Sequence, residues 1–359
     1  MVKKVLPVVI LASVFTYSCK KGGEGGSGGG EELPYPVLVE QVTNYQCTPC
    51  KGANEVIDSL ADAHPDKIFP IRYHVNTPYP GDPLNNEYAD SMVSFHGLDL
   101  SRGVPITLIG GDFVDYGYDD NQRADYVQRW YNKIKEKSQT QPYYNSTIDL
   151  IYGDNAIDVS ISLDKPLQSG DNPKIFLSEY NVPLPPGSEK PYSNYALRGM
   201  INGTSGTFVI DTAWDVNNLY VIFSIFNSSK QVVGLNRVKV SNTSNTFTFY
   251  ATDPVVDTVD SGAISKFHLY AKNNTNKDLI MTLMISGVPR SWNTAVCWGI
   301  CISGNSITDT LHSGEETGSG TFYFSIIPTT KDSVNITAEF FLSDKPHIKR
   351  SVNFKVYVR

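Results

Sequence analysis

The tightest constraint on this chain is Cys47-Thr48-Pro49-Cys50, lodged between an extended apolar run at 37–43 and a helical pattern over 52–63. A C-x-x-C placed where a strand feeds a helix puts both thiols on the first helical turn. Free N–H groups and the positive end of the helix dipole gather there, and both favour a thiolate. The second cysteine is near enough to close a small disulfide ring. Such a pair beside a strand–helix–strand pattern has the geometry of a thiol–disulfide exchange site. The same residues also suit a permanent crosslink that pins helix to sheet, and the sequence leaves both readings open.

The neighbouring segments follow a definite order. After the first helix come a strand at 68–75, a Pro/Gly-rich loop at 77–83, and a helix carrying Tyr88, Met92 and Phe95 with Gly97 as its stop. Gly103-Val104-Pro105 then opens an apolar strand, and 124–137 reads as a helix with Val127, Trp130, Tyr131 and Ile134 on one side. This order predicts a thioredoxin-like α/β domain over 33–142. In that fold the proline before the antiparallel strand is usually cis, and Pro105 matches its position. The Val104 backbone would then lie beside the thiols, ready to pair with an extended substrate. In the exchange reading Cys47 attacks and Cys50 resolves the mixed disulfide. Gln46 stands where active thioredoxins commonly carry Trp, and Glu40 only approximates their buried acid.

Past Pro142 the composition changes, and period-two runs recur between turn signals. They fall at 156–161, 219–225, 232–240, 265–270, 279–285, 320–327, 333–342 and 351–358. This spacing predicts all-β domains, two β-sandwich modules over 143–245 and 246–359, with a seam near 244–252. The expected fold class is therefore an α/β thioredoxin-like domain followed by two Ig-like β-sandwiches. A length of 359 residues suits such a division.

The N-terminus reads as targeting. Lys3 and Lys4 precede an apolar stretch at 5–15, too short to span a bilayer, and Ser18-Cys19 follows. This resembles a bacterial lipoprotein signal over 1–19 with Cys19 as the lipidated residue, although Thr16 and Tyr17 depart from the usual pattern. Residues 20–32 are glycine-rich and have almost nothing to bury, so they form a tether with a reach of roughly 20 Å. With Cys19 lipidated, the other four of the five cysteines form two close pairs, as an exported chain favours. A net charge of −7 with no basic run past the leader excludes a nucleic-acid partner. There is no P-loop, no Ser-His-Asp signature and no paired-carboxylate pattern, and nothing calls for a cofactor.

Several stretches together resemble the outer-membrane-protein-twenty-eight-related lipoproteins of Gram-negative bacteria. They are Val37-Leu38-Val39-Glu40 running into the cysteine pair, Ile71-Arg72-Tyr73-His74, Gly103-Val104-Pro105, Ile175 to Tyr180, Tyr195 to Met200, Gly206-Thr207-Phe208 and Leu219 to Phe223. The resemblance spans about 33–243; the last hundred residues look like an Ig-like accessory sandwich. It implies a lipid-anchored protein of the outer membrane, exposed at the cell surface, and no settled activity. Two functions follow as expectations. One is thiol–disulfide exchange on cysteine-containing envelope or surface proteins through Cys47, Cys50 and Pro105. The other is a non-enzymatic surface lipoprotein that binds protein or glycan partners, with Cys47–Cys50 structural.

Cys297 and Cys301 form a second pair. Four extended residues would hold their Cα atoms roughly 13 Å apart, and a disulfide needs about 5.5 Å. The chain must turn, which Gly299 permits, and a structural disulfide is expected. His74 and His96 supply ligand types that could join Cys47 and Cys50 around a metal, and His268 and His312 could do so for the second pair. No spacing signature ties either set together, so no metal is expected. Triplets such as Asp211-Thr212-Ala213 and Asp257-Thr258-Val259 resemble acceptors for O-glycosylation of exported bacterial proteins.

Overall fold

The computed structural model describes residues 33–153, 155–242, 246–318 and 320–359. The leader, Cys19 and the tether lie outside the described residues. Through 33–142 the order is β1 (Val37–Thr43), α1 (Thr48–Ala63), β2 (Ile68–His74), α2 (Glu87–His96), β3 (Ile106–Ile109), β4 (Phe113–Tyr116) and α3 (Arg123–Ser138). β1 and β2 run parallel with Val37 opposite Ile68, and β3 lies antiparallel to β1 with Val39 opposite Ile109. β4 folds back on β3. Both β1 and β2 are buried along their whole length. Ala53, Val56 and Ile57 of α1 and Trp130 and Ile134 of α3 cover one face, and Ala89, Met92 and Val93 of α2 the other. Two covered faces explain apolar runs without alternation.

Local signals set the helix ends. Asn86 caps α2 by accepting the Ala89 amide at 3.0 Å, and Gly97 ends it in the left-handed region at φ 67°. Cys47 is the N-cap of α1, with its sulfur accepting the Cys50 amide at 3.2 Å. Pro49 falls in the first turn, where a missing N–H is harmless.

The middle of the chain gives β5 (Ser146–Tyr152), β6 (Ala156–Leu163), β7 (Asn172–Glu179), β8 (Val182–Pro183), β9 (Tyr192–Ser193), β10 (Ala196–Asn202), β11 (Ser205–Val209), β12 (Leu219–Phe226) and β13 (Val232–Lys239). Here the structure differs from a chain of separate beads. One eight-stranded sheet runs β13-β12-β7-β10-β2-β1-β3-β4, straight across the expected boundary at 142. The joint is β10 beside β2, where Ala196 pairs with Arg72 and the Arg72 amide bonds Tyr195 O at 2.8 Å. β2 would otherwise present an open edge, which β10 meets at this one pairing. The sheet also bends back on itself, because the Val232 amide reaches Gly110 O at 3.0 Å. Gly111 is required there: a Cβ would fall 2.1 Å from Lys230 O, and its φ is 84°. A smaller sheet, β11-β6-β5, stacks on the β7–β12 half around Ile157, Phe208, Leu177 and Phe223.

The last segment holds β14 (Phe247–Ala251), β15 (Val256–Val259), β16 (Ser265–Asn273), β17 (Leu279–Ser286), β18 (Asn293–Trp298), β19 (Ile300–Ser303), β20 (Ser306–Leu311), β21 (Phe322–Ile327), β22 (Ser333–Leu342) and β23 (Lys345–Val358). Two five-stranded sheets, β14-β16-β21-β18-β19 and β15-β23-β22-β17-β20, enclose a core that includes Phe267, Phe324, Phe340, Phe354 and Trp298. β16 and β17 alternate buried and half-exposed positions along most of their length, as sandwich strands do. β14 falls inside the expected seam of 244–252 and belongs to this sandwich, since it pairs with β16. No helix among the described residues is long and apolar enough to cross a membrane.

Candidate functional site

Cys47 and Cys50 form a disulfide with Cα atoms 5.2 Å apart. Its setting is closed: Cys47 is 3% exposed and Cys50 1%. The Cys47 sulfur lies 3.6 Å from the Val104 carbonyl oxygen, and the Val104–Pro105 peptide is cis. In the disulfide that sulfur has no proton, so this is a contact; on reduction the thiol could donate. The dipole of α1 still points at the pair, but little of either cysteine meets bulk solvent.

A segment from far along the chain packs beside the pair, while Cys47 itself is buried among α/β residues that include Val42 and Val104. β8 and β9 pair as a short hairpin, and the flap between them, residues 184–191, folds onto the start of α1. The Glu189 amide bonds Tyr45 O at 3.0 Å, and Thr48 Oγ1 donates to Glu189 Oε1 at 2.9 Å. Arg72, 1% exposed, ties the flap's base to the α/β segment. Its guanidinium donates to Asn194 O at 2.7 Å, Asn54 O at 2.9 Å and Asp58 Oδ1 at 2.6 Å. A buried guanidinium is tolerated only with such complete pairing. Lys190 adds longer ion pairs to Asp58 at 3.6 Å and Glu55 at 3.9 Å.

Beneath the pair's strand, Glu40 is fully buried. Its Oε1 accepts from Tyr73 Oη at 2.6 Å and contacts His96 Nε2 at 2.9 Å, while Oε2 has no partner. Burial first, and then the Glu40 charge, hold the Tyr73 phenol well above its ordinary value. Burial holds the nearby Lys174 ammonium below its ordinary value, against the pull of Glu40. Glu40 is thus committed to α2 and β2 side chains. His74 is committed as well, its ring nitrogens lying 2.9 Å from Asp82 and 2.8 Å from Ser193. That Ser193–His74–Asp82 relay is what the sequence reading missed. Asp82 is eight positions from His74, but Ser193 is 119 away, and no local pattern links them. Among the described residues no group of three or more His, Cys, Asp or Glu side chains could hold a metal.

Cys297 and Cys301 also form a disulfide, across the β18–β19 hairpin where they pair directly. Gly299 makes the turn at φ 69°. Cys297 is 2% exposed, whereas Cys301 is exposed, as is every residue of the edge strand β19. Cys301 Sγ lies 3.4 Å from Tyr323 Oη. His268 and His312 face Asp253 and Asp278 instead.

No family model matches the chain, and no curated protein matches it. Among solved structures it is similar to HBP35 of Porphyromonas gingivalis, at 12% identity and a TM-score of 0.46, over 91% of this chain and 99% of that one. It is similar to the N-terminal domain of PorA at 15% identity and a TM-score of 0.23, over 32% of this chain and 97% of that one. A PapD-like domain of human CEP192 matches at 14% identity and a TM-score of 0.20, over 32% of this chain and 84% of that one. Scores this low carry no argument about activity.

Proposed function

We propose that this protein is a surface lipoprotein that works by binding, on a thioredoxin-like scaffold whose Cys47–Cys50 disulfide is a permanent crosslink. The observation that carries this reading is the 3% exposure of Cys47, between Tyr45 and Thr48, both of which bond Glu189 of the 184–191 flap. An exchange catalyst must offer its attacking sulfur to a partner's sulfur in line, and here that approach is filled by the chain itself. The element order β-α-β-α-β-β-α, with β1 and β2 parallel and β3 antiparallel, supports the thioredoxin-like assignment. The sequence resemblance supports placing the chain among the outer-membrane-protein-twenty-eight-related lipoproteins, held at the outer membrane through lipid on Cys19. Binding to protein or glycan partners then falls to the flap side and to the sandwich edges. A Cys50→Ser variant tests the reading: it should recover no partner trapped through Cys47 from cells, whereas mixed disulfides at Cys47 would restore the exchange reading. Lipid labelling should disappear with Cys19→Ser.

A further inference from the structure

The face of α1 beside the flap carries a charge pattern that helix stability does not favour. Lys51, Glu55, Asp58 and Asp62 recur at spacings of four, three and four, so they form one stripe along the helix. The stripe is one wall of an open groove of about 450 Å³, and Tyr180 with residues 189–192 makes the other. Charges in the middle of the groove are answered within the chain. Glu55 meets Arg123 at 3.3 Å, and Asp58 meets Arg72 at 2.6 Å and Lys190 at 3.6 Å. The ends are not answered. Lys51 and Asp62 are both exposed, and neither side chain has a hydrogen-bond or ion-pair partner among the described residues.

Both ends also run against the helix. Lys51 lies in the first turn of α1, where the dipole is positive, and Asp62 in the last, where it is negative. Each like-signed placement costs stability, and no partner offsets it. A local rule broken without compensation in the fold marks a place where function is served instead. The helix rise sets the two residues about 16 Å apart along the axis, a span that an extended peptide covers in about five residues. Between the ends the wall is aromatic: Tyr192 is 43% exposed, and the Tyr180 ring is braced edge-on by Tyr195 with centroids 5.1 Å apart. Burial first, and then the Asp62 and Asp58 charges, hold the Tyr180 phenol above its ordinary value, which places Asp62 near that ring. Asn194, 6% exposed, also lines the groove and leaves its Oδ1 without a partner. Two rings and a spare amide acceptor suit the side chains and backbone N–H groups of a peptide. A neutral sugar chain would leave both end charges unanswered.

We propose that this groove binds an extended segment of a partner protein, with an acidic residue at Lys51 and a basic residue about five positions away at Asp62. The inference rests on the reading of this chain as a binding protein, and it names the partner chemistry for the flap side. The two charge pairs are open to solvent, so they select the segment rather than hold it. Each contributes a factor of at most about five at low salt. Packing on Tyr180 and Tyr192 supplies the rest, because aromatic area is what usually anchors such contacts.

The test probes an array of random decapeptides with the full chain at low salt. Bound sequences should be enriched about threefold to fivefold for an acidic and a basic residue five positions apart, over every other spacing. The enrichment should vanish at high salt. Lys51→Gln should erase the preference for the acidic residue alone, and Asp62→Asn the preference for the basic residue alone. Both positions are on the surface, and unchanged circular dichroism checks that the fold is kept. Binding with no spacing preference, or a preference that both variants retain, would overturn the proposal. A blank array beside capture of neutral oligosaccharides would also overturn it and leave the binding reading standing. Mixed disulfides at Cys47 would count against the binding reading instead, so the two fail separately.

Discussion

The two disulfides of this chain invert what their motifs promise. Cys47–Cys50 has the spacing, the helix start and the neighbouring cis proline of an exchange site, and both of its cysteines are buried. Cys297–Cys301 has no such context, and it sits on an edge hairpin with Cys301 open to solvent. Loop closure would stabilise the two similarly, by about 2 kcal/mol each, because both rings are small. What separates them is what packs on top. A motif sets the intrinsic chemistry of a thiol pair, and the rest of the chain decides whether anything can reach it.

The comparison can be broken most forcefully at Arg72. Arg72→Ala removes the buried cation that holds Asn194, Asn54 and Asp58, leaving the Asp58 carboxylate short of its main partner. Chemical denaturation should show a loss of about 3–5 kcal/mol, and the released flap should leave the first disulfide as reducible as the second. A milder test leaves the fold intact. Under a thiol reductant at native pH, alkylation and mass mapping should find the Cys297–Cys301 pair opened about 100-fold faster than Cys47–Cys50, which must wait for local opening. Replacing 184–191 with a short glycine linker should narrow that gap at least tenfold. Equal rates in the unaltered protein would mean the flap is no barrier.

Alkali gives the smallest effect. The phenols of Tyr73 and Tyr195 are raised in the folded chain, each chiefly by burial. A raised folded value contributes stability that is whole below the unfolded value of about 10 and drains away as pH climbs past it. Stability should therefore fall above pH 10, and Tyr73→Phe should flatten the slope. Trp130 fluorescence should report the loss before the sandwich tryptophans Trp292 and Trp298 do, since both phenols lie outside the sandwich core.

What could be read in the sequence was whatever is encoded locally. β1, α1, β2 and α2 follow from apolar runs, from helical periodicity and from the Gly97 stop, all within a few residues of the elements they define. The sandwich strands announce themselves by alternation, as β16 and β17 do. The continuous sheet does not, because the pairing of Ala196 with Arg72 leaves no trace in either neighbourhood. The flap beside Cys47 and the placement of Ser193 on His74 depend on that same long-range joint, so the flap and the relay were both out of reach. β5 shows the intermediate case: its alternation is only partial, since it is half-exposed along most of its length.

That joint also sets a schedule. Arg72 meets Asn194 across 122 positions, and a chain made from its N-terminus exposes β2 long before β10 exists to cover it. Closing so distant a contact is slow compared with forming the local helices. Meanwhile the free edge of β2 is a template for pairing with any other strand nearby. A ribosomal pause or a truncation anywhere between β2 and β10 would release an adhesive half-sheet, so whatever escorts the nascent chain must shield that edge until residue 196 arrives.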